Sequence, residues 1–231
     1  MRGVVRLDDG GSLVDLAVRR VRDHIRDQDL KVGDTLPGEG QFARELGVSR
    51  AVMREAFGAL AALRLIDVAN GRRARVGAID GSVMGTSLDH AVATAQVTVA
   101  EVWDVRRTLE VRTADLAARH RSDTDAAEIR AAARAMRTAA DIAAVTRSDI
   151  AFHQAIARAS QNKLFVQIVR SFEPLMTIAV PLAWHTRETD AAREEVLSRH
   201  GLIAEAIADR DGARAAALMH AHFDVSIGSV L

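Results

Sequence analysis

Apolar residues in the first eighty positions recur at helical spacing in three short segments. The segments are residues 12–28, 39–46 and 50–64. Gly47 is a usual stop for the second helix, and Ser49 is a natural N-cap for the third. Next, Asn70-Gly71 joins two short extended runs, which is a strong signal for a β-hairpin. The order helix, helix, turn, helix, hairpin predicts a winged helix-turn-helix over residues 8–79.

The remainder of the chain has a helical pattern throughout. Helices are predicted near residues 99–119, 123–140, 145–159, 163–178, 188–209 and 211–229. Pro174 and Pro181 are expected to bend or end the fourth of these helices. No segment has a strand pattern, so residues 97–231 are predicted to form an all-α bundle. Residues 80–96 are predicted to be a linker with at most one short helix, and the fold class is mainly α.

Composition narrows the class of protein. The 31 basic and 31 acidic residues cancel, but residues 1–79 carry a net +3 and residues 80–231 a net −3, which fits a basic domain that faces an anionic partner. A run of about 18 apolar residues and a basic-then-apolar leader are both absent, so no membrane association is predicted. The lack of cysteine excludes disulfides and thiolate metal sites. We therefore expect a cytoplasmic protein.

Basic residues mark one face of the predicted DNA-binding domain. Arg50 and Arg54 lie four residues apart at the start of the third helix, where a guanidinium group can bind a guanine edge or a phosphate. Three more arginines are expected at the hairpin tip. The candidate DNA-binding residues are Ser49, Arg50, Arg54, Arg72, Arg73 and Arg75. A generic surface helix with a basic loop is the alternative.

Polar residues interrupt the apolar stripes of several helices in the second half. Asp149 and His153 share a stripe with Phe152, while His200 and His222 lie on apolar stripes of two later helices. Side chains at these positions should point into the bundle. One carboxylate and three imidazoles would form a divalent metal site, with Zn²⁺ as the first choice and Ni²⁺, Fe²⁺ or Mn²⁺ as alternatives. Hydrogen-bonded core histidines are the competing interpretation.

Two motif sets carry a family resemblance. "GDTLPGEGQFARELGVSRAVMREAFGAL" resembles the DNA-binding signature of the GntR regulators. "WDVRRTLEVRTADLAA", "DIAFHQAIARASQN" and "HGLIAEAIADRDGARAAALMHAH" resemble, in this order, the FCD effector domain of the FadR branch. Together they cover most of residues 13–228. The sequence departs from the family signature in three places. Gly38 and Gly40 stand where the family has Ser and Arg, and Arg64 stands where the family usually has Gly. The wing reads Gly-Arg-Arg-Ala-Arg where the family often has Gly-x-Gly-x-Phe.

The resemblance implies roles for individual residues. The ligands of metal-binding FCD domains match Asp149, His153, His200 and His222. Arg106, also on an inward stripe, matches the anchor for an effector carboxylate, although it could instead pair with Asp104 or Glu110. Asn162 matches a family position near the site, and a structural role is the alternative.

These features together predict a transcription regulator, most simply a repressor, rather than an enzyme. We expect a homodimer that binds a palindromic double-stranded operator, with a small carboxylate effector bound at the metal. A metal-ion sensor and a metal-dependent hydrolase are the alternatives.

Overall fold

The computed structural model describes residues 12–227, and the chain divides into two compact units between Val83 and Met84. Each unit has its own hydrophobic core. The described residues form eleven helices and one two-stranded sheet, which confirms the mainly α fold class. Residues 8–11 and 228–231 of the predicted domains lie outside the described residues.

Three helices and a small antiparallel sheet form the first unit. The elements are α1 Leu13–Asp27, α2 Glu39–Leu46, α3 Arg50–Ala62, β1 Ile66–Asp67 and β2 Arg75–Val76. Gly47 ends α2 in the left-handed conformation, with φ 68°. The Oγ of Ser49 accepts a hydrogen bond from the backbone N–H of Val52 at 3.2 Å, so the predicted cap of α3 is confirmed. Ile66 pairs with Val76 in the sheet.

One glycine is essential to the junction between α3 and the sheet. A Cβ on Gly77 would lie 2.3 Å from the carbonyl oxygen of Arg64, which is closer than any side chain can approach. Arg64 itself has φ 57°, a left-handed conformation that costs an L-residue about 1–2 kcal/mol. This explains why glycine is usual at position 64 in the GntR signature.

Eight helices make up the remaining described residues. They are α4 Gly81–Ala93, α5 Val99–His120, α6 Asp123–Arg137, α7 Ile142–Ala159, α8 Lys163–Ser171, α9 Glu173–His185, α10 Asp190–Ala208 and α11 Gly212–Ile227. α4 occupies most of the predicted linker, and its Leu88 and Val92 pack against the core of the second unit. α5 packs against α7, α10 and α11, so the inward faces of these four helices share one centre.

Two helices replace the single helix predicted over residues 163–178. α8 and α9 meet at Phe172 with a bend of 54°. Pro174 lies in the first turn of α9, where its missing N–H has no helical partner to lose. Pro181 lies inside α9 and does not end it, because the helix continues to His185. No single helix in the described range is long and apolar enough to cross a membrane, and α8 with α9 meets the criterion only as a bent pair, by length and composition alone.

Candidate functional site

The start of α3 presents two arginines on the exposed face of the first unit. Arg50 and Arg54 are exposed, whereas Met53 and Phe57 on the other side of the helix are buried. The Nε of Arg54 lies 3.8 Å from the Oε2 of Glu39, and the Arg54 side chain is 78% exposed. Such a pair contributes little stability, so the guanidinium group can leave it for a base edge or a phosphate.

A further arginine, not predicted from the sequence, adjoins Arg50. A Cβ on Gly40 would lie 3.8 Å from the Nη1 of Arg44 and 3.8 Å from the Nε of Arg50, so both guanidinium groups approach one point above α2. An anion at that point would be stabilised by both positive charges. Because Gly40 has no side chain, the side chains of Arg44 and Arg50 both fit there. This glycine was the only feature of the sequence that could have indicated the arrangement.

The three arginines predicted at the hairpin tip do not share one location. Arg72 and Arg73 are exposed between the strands, as expected. Arg75 instead lies in β2, where its Nη1 donates to the carbonyl oxygen of Gly33 at 3.3 Å. The placement of Arg75 at the tip was therefore wrong, because the strand begins before the basic run ends.

Three helices of the second unit bring three histidines together. His153 on α7, His200 on α10 and His222 on α11 are each at most 5% exposed. One ring nitrogen from each lies within 4.8 Å of the other two. We call these three residues the histidine trio. The inward orientation predicted from the apolar stripes is thus present in the structure.

Second partners fix the orientation of two of these rings. The Nδ1 of His200 lies 2.8 Å from the carbonyl oxygen of Val196, and the Nδ1 of His153 contacts a carboxylate oxygen of Glu110. A carbonyl and a carboxylate can only accept hydrogen bonds, so Nδ1 carries the proton in both rings. Each Nε2 therefore points towards the trio, which is the arrangement that metal-binding histidines usually have.

The fourth predicted ligand, Asp149, borders the trio. Its Oδ1 lies 3.2 Å from the Nε2 of His200 and 3.9 Å from the Nε2 of His153. Burial raises the pKa of Asp149, but the hydrogen bond from His200 and the charges of His153, His200 and Arg106 outweigh it. The pKa therefore lies well below its usual range. The carboxylate is ionised at neutral pH and can bind a cation.

The third ring of the trio is neutral. Burial, and then the neighbouring His200 and His153, hold the pKa of His222 well below its ordinary value of 6.5. A neutral imidazole is the form that binds metals. His220, two residues earlier, is exposed and contacts Arg107 and Asp224. The register of α11 therefore separates the two histidines as expected.

Arg106 and Glu110 form a buried ion pair beside the trio. The Nε of Arg106 donates to Glu110, which resolves the open choice between Asp104 and Glu110. The guanidinium carbon lies 5.1 Å from the ring centre of Trp103 and 5.4 Å from that of Phe223. Burial raises the pKa of Glu110, but Arg106 and His153 outweigh it and keep the pKa below its ordinary value. Glu110 thus links Arg106 to the histidine trio, a role not predicted from the sequence.

A small cavity of about 40 Å³ opens onto the trio. Asp149, Arg106, Trp103 and Arg187 are among its lining residues. Arg187 is only 8% exposed, and its Nη1 donates to the carbonyl oxygen of Ala183 at 2.6 Å. Burial lowers the pKa of Arg187, and the nearby Asp149 partly offsets the effect. No feature of the sequence pointed to this residue, because a lone arginine after a helix usually lies on the surface.

Asn162 lies outside this site. Its Oδ1 accepts hydrogen bonds from the backbone N–H groups of Leu164 at 3.0 Å and Phe165 at 3.4 Å, so it caps α8. It is exposed and is not among the residues that line the cavity. The expected effector contact is therefore corrected to a helix cap.

The donor set fits a divalent metal ion. With Nδ1 of His200 protonated, its Nε2 can lie 3.2 Å from the Asp149 oxygen only if a cation is shared between them, because without one a lone pair would face an acceptor. Either a proton or a metal ion can supply that charge. The nearby Nε2 of His153 and the ring of His222 complete a nitrogen and oxygen set that suits Zn²⁺ and its neighbours.

Comparison with known proteins identifies relatives of both units. The family described as "Bacterial regulatory proteins, gntR family" matches residues 13–76, and the FCD domain matches residues 101–225. The regulator LutR of Bacillus subtilis is 30% identical over 203 residues, which are 86% of this chain and 92% of that protein. A putative L-lactate dehydrogenase operon regulatory protein of Escherichia coli is 31% identical over 225 residues, covering 91% of this chain and 84% of its own length.

A solved structure has the same fold. The GntR protein of Streptococcus agalactiae superimposes with a TM-score of 0.64 and 21% identity, over 92% of this chain and 97% of that chain.

Proposed function

Since the chain belongs to the GntR family of bacterial regulatory proteins and carries an FCD domain, we propose that a small carboxylate, bound at a divalent metal in that domain, controls its affinity for DNA. The protein is a transcription regulator and not an enzyme, so the hydrolase alternative is set aside. The observation that carries the proposal is the convergence of the histidine trio and Asp149 on one cavity.

The metal site would be held by four side chains. His153, His200 and His222 would supply nitrogen, and Asp149 would supply oxygen. The ion, Zn²⁺ by first choice, offers a hard cationic centre to carboxylate oxygens when bound. Arg106 lines the same cavity, and its Nη2 has no hydrogen-bond partner within residues 12–227. This guanidinium nitrogen would contact the acid that the ion binds.

The chemistry of the effector follows from the size and the charge of the cavity. The cavity is small, about 40 Å³, so the acid must be short. One relative is named for an L-lactate dehydrogenase operon, and lactate is such an acid. The effector can shift DNA affinity only by the difference between its binding energies for the two states of the protein. Repression that the acid relieves is the simplest form of this control.

DNA recognition would use the exposed face of the winged helix. Arg50 and Arg54 would read bases or bind phosphates from α3, with Ser49 fixing the start of that helix. Arg72 and Arg73 would contact the backbone from the wing. We place this activity in the cytoplasm, where a bacterial operator is found.

A homodimer on a palindromic operator completes the proposal. The second unit has an apolar groove of about 300 Å³ between α4, α5 and α9. Val99, Ile178 and Leu182 line it and are exposed, which supports burial against a second copy of the chain. Ile178→Glu should shift the dimer to monomer in analytical ultracentrifugation, whereas Leu202→Glu, at an exposed leucine outside the groove, should not.

A binding assay with selected DNA tests the central claim. Operator sequences would be enriched from random DNA on the purified protein, and affinity measured by fluorescence anisotropy with and without L-lactate. For the metal-loaded protein we expect the acid to change affinity by about 5- to 150-fold, the usual range of allosteric coupling. An equal effect on metal-stripped protein would contradict the proposal. A change caused by metal alone, with no further effect of any organic acid, would instead support the metal-sensor alternative.

The DNA face is tested in the same assay. Arg54→Ala should weaken binding to the selected site by about 1–3 kcal/mol. Arg158→Ala is the matched control, since Arg158 is also exposed and paired with a glutamate but lies in the other unit. Equal affinities of Arg54→Ala and the control would show that α3 does not read DNA in the way described.

A further inference from the structure

We infer that Arg187 is a second anion anchor, and that the preferred effector is therefore a short dicarboxylate rather than a monocarboxylate. The inference rests on the proposed acid-binding site and adds the class of acid that the site takes. It is based on the hydrogen-bond donors that line the cavity, on the charge of the site and on the size of the cavity.

Arg187 has more donors available than Arg106. Of its five N–H donors, one is used by the carbonyl oxygen of Ala183, and no other hydrogen bond or ion pair of this side chain occurs in the described part of the chain. Arg106, by contrast, is already paired with Glu110 and packed between aromatic rings. A carboxylate that enters the cavity therefore meets an almost unused guanidinium fork at Arg187.

A purely structural role does not account for this side chain. Capping the last turn of α9 uses a single donor and does not require the guanidinium group to be buried. Burying a charged group without a paired partner is costly. Asp149 lies close enough to influence the pKa of Arg187 but forms no ion pair with it among residues 12–227. Arg187 thus has no directly paired anion, and a carboxylate of the ligand would fill that position.

The charge count of the site favours a dianion. The guanidinium groups of Arg106 and Arg187 balance the carboxylates of Asp149 and Glu110, so these four side chains have no net charge. A divalent ion adds two positive charges to this buried region. A monocarboxylate leaves one of them uncompensated, whereas a dicarboxylate neutralises both.

The size of the cavity limits the length of the acid. The small volume then restricts the ligand to short acids such as tartronate or malate.

Matched acids test the inference on the metal-loaded, full-length protein. Glycolate against tartronate, and lactate against malate, differ by one carboxylate in each pair. Isothermal titration calorimetry should give each dicarboxylate an affinity about 10- to 100-fold higher, the value of one charge-assisted contact. Arg187→Met, which keeps the length of the side chain, should abolish this preference while the monocarboxylates retain their affinity. Arg187→Lys should keep part of it, because it keeps the charge.

Control measurements distinguish a failure of the dicarboxylate inference from a failure of the proposed acid-binding site. Arg170→Met, at an exposed arginine on α8, should leave all four affinities unchanged, and metal content should be the same in every variant. Equal binding of mono- and dicarboxylates by the wild-type protein, or an equal loss of both in Arg187→Met, overturns the inference but leaves the acid site intact. If none of the four acids binds, or if binding survives removal of the metal, the proposed site itself is refuted.

Discussion

Replacing Glu110 by Gln should both destabilise the second unit and weaken metal binding. Glu110 is 2% exposed and accepts from Arg106 through one oxygen and from His153 through the other. Gln is nearly isosteric, but its amide has one acceptor oxygen and an NH₂ group that cannot accept from either partner. In Glu110→Gln, either the guanidinium group of Arg106 or the ring N–H of His153 would therefore face the amide NH₂. Two buried donors would then be in contact without an acceptor.

The size of the effect follows from what is left unpaired. Breaking a buried ion pair by removing one partner costs about 3–5 kcal/mol. For a unit of this size, about 2–4 °C of melting temperature is lost per kcal/mol, so the midpoint should fall by roughly 6–20 °C. Because Glu110 also holds the His153 ring, metal affinity should fall by about 10- to 100-fold, as for other changes behind a metal ligand.

Thermal unfolding and competition with a chelator measure the two effects. Glu128→Gln is the matched control, since Glu128 pairs with Arg158 at 3.4 Å on the exposed surface and should contribute less than about 1 kcal/mol. If Glu110→Gln melts and binds Zn²⁺ as the wild type does, Glu110 does not support the site in the way described here.

The same variant should change the response to acid. The pKa of Glu110 is lower in the folded protein than its ordinary value of 4.5. Its ionised form therefore stabilises the fold above about pH 4.5, and this contribution is lost as the pH falls through the folded pKa. The stability difference between wild type and Glu110→Gln should be largest at neutral pH and should shrink below pH 4.5. A difference that stays constant with pH would show that ionisation of Glu110 is not its source.

Two further predictions concern single positions. His222→Ala should lose Zn²⁺ affinity by at least about 100-fold in a chelator titration, whereas His220→Ala should keep it; the reverse result would mean that the register of α11 is wrong. Arg64→Gly should raise the unfolding free energy by up to about 1 kcal/mol in urea melts, because glycine removes the left-handed strain. Gly77→Ala should lower it, since the new Cβ would meet the Arg64 carbonyl oxygen; a neutral result at both positions would contradict the described junction.

Local patterns in the sequence determined the elements and much of the chemistry. Helical periodicity and caps such as Ser49 depend on residues within one or two turns, so most helices could be predicted with ends correct to a few residues, whereas α4 was predicted only as a linker with at most one short helix. The same periodicity showed that His153, His200 and His222 face inward, because an apolar stripe marks the buried side of a helix. Pro174 correctly indicated a break, which lies two residues earlier at Phe172, whereas Pro181, also expected to bend or end this helix, lies inside α9.

Only the tertiary structure decided which polar groups complete the site. The apolar stripe placed Arg106 inward, but the sequence left both Asp104 and Glu110 open as its partner, and only the packed structure selects Glu110. Glu110 contacts His153, which lies 43 residues later in the sequence. Arg187, just after the end of α9, lines the same cavity. Asn162 shows the converse, since it matches a family position near the site but caps α8 instead. Pairing of buried charges depends on how helices pack, and a single chain's sequence does not specify those distances.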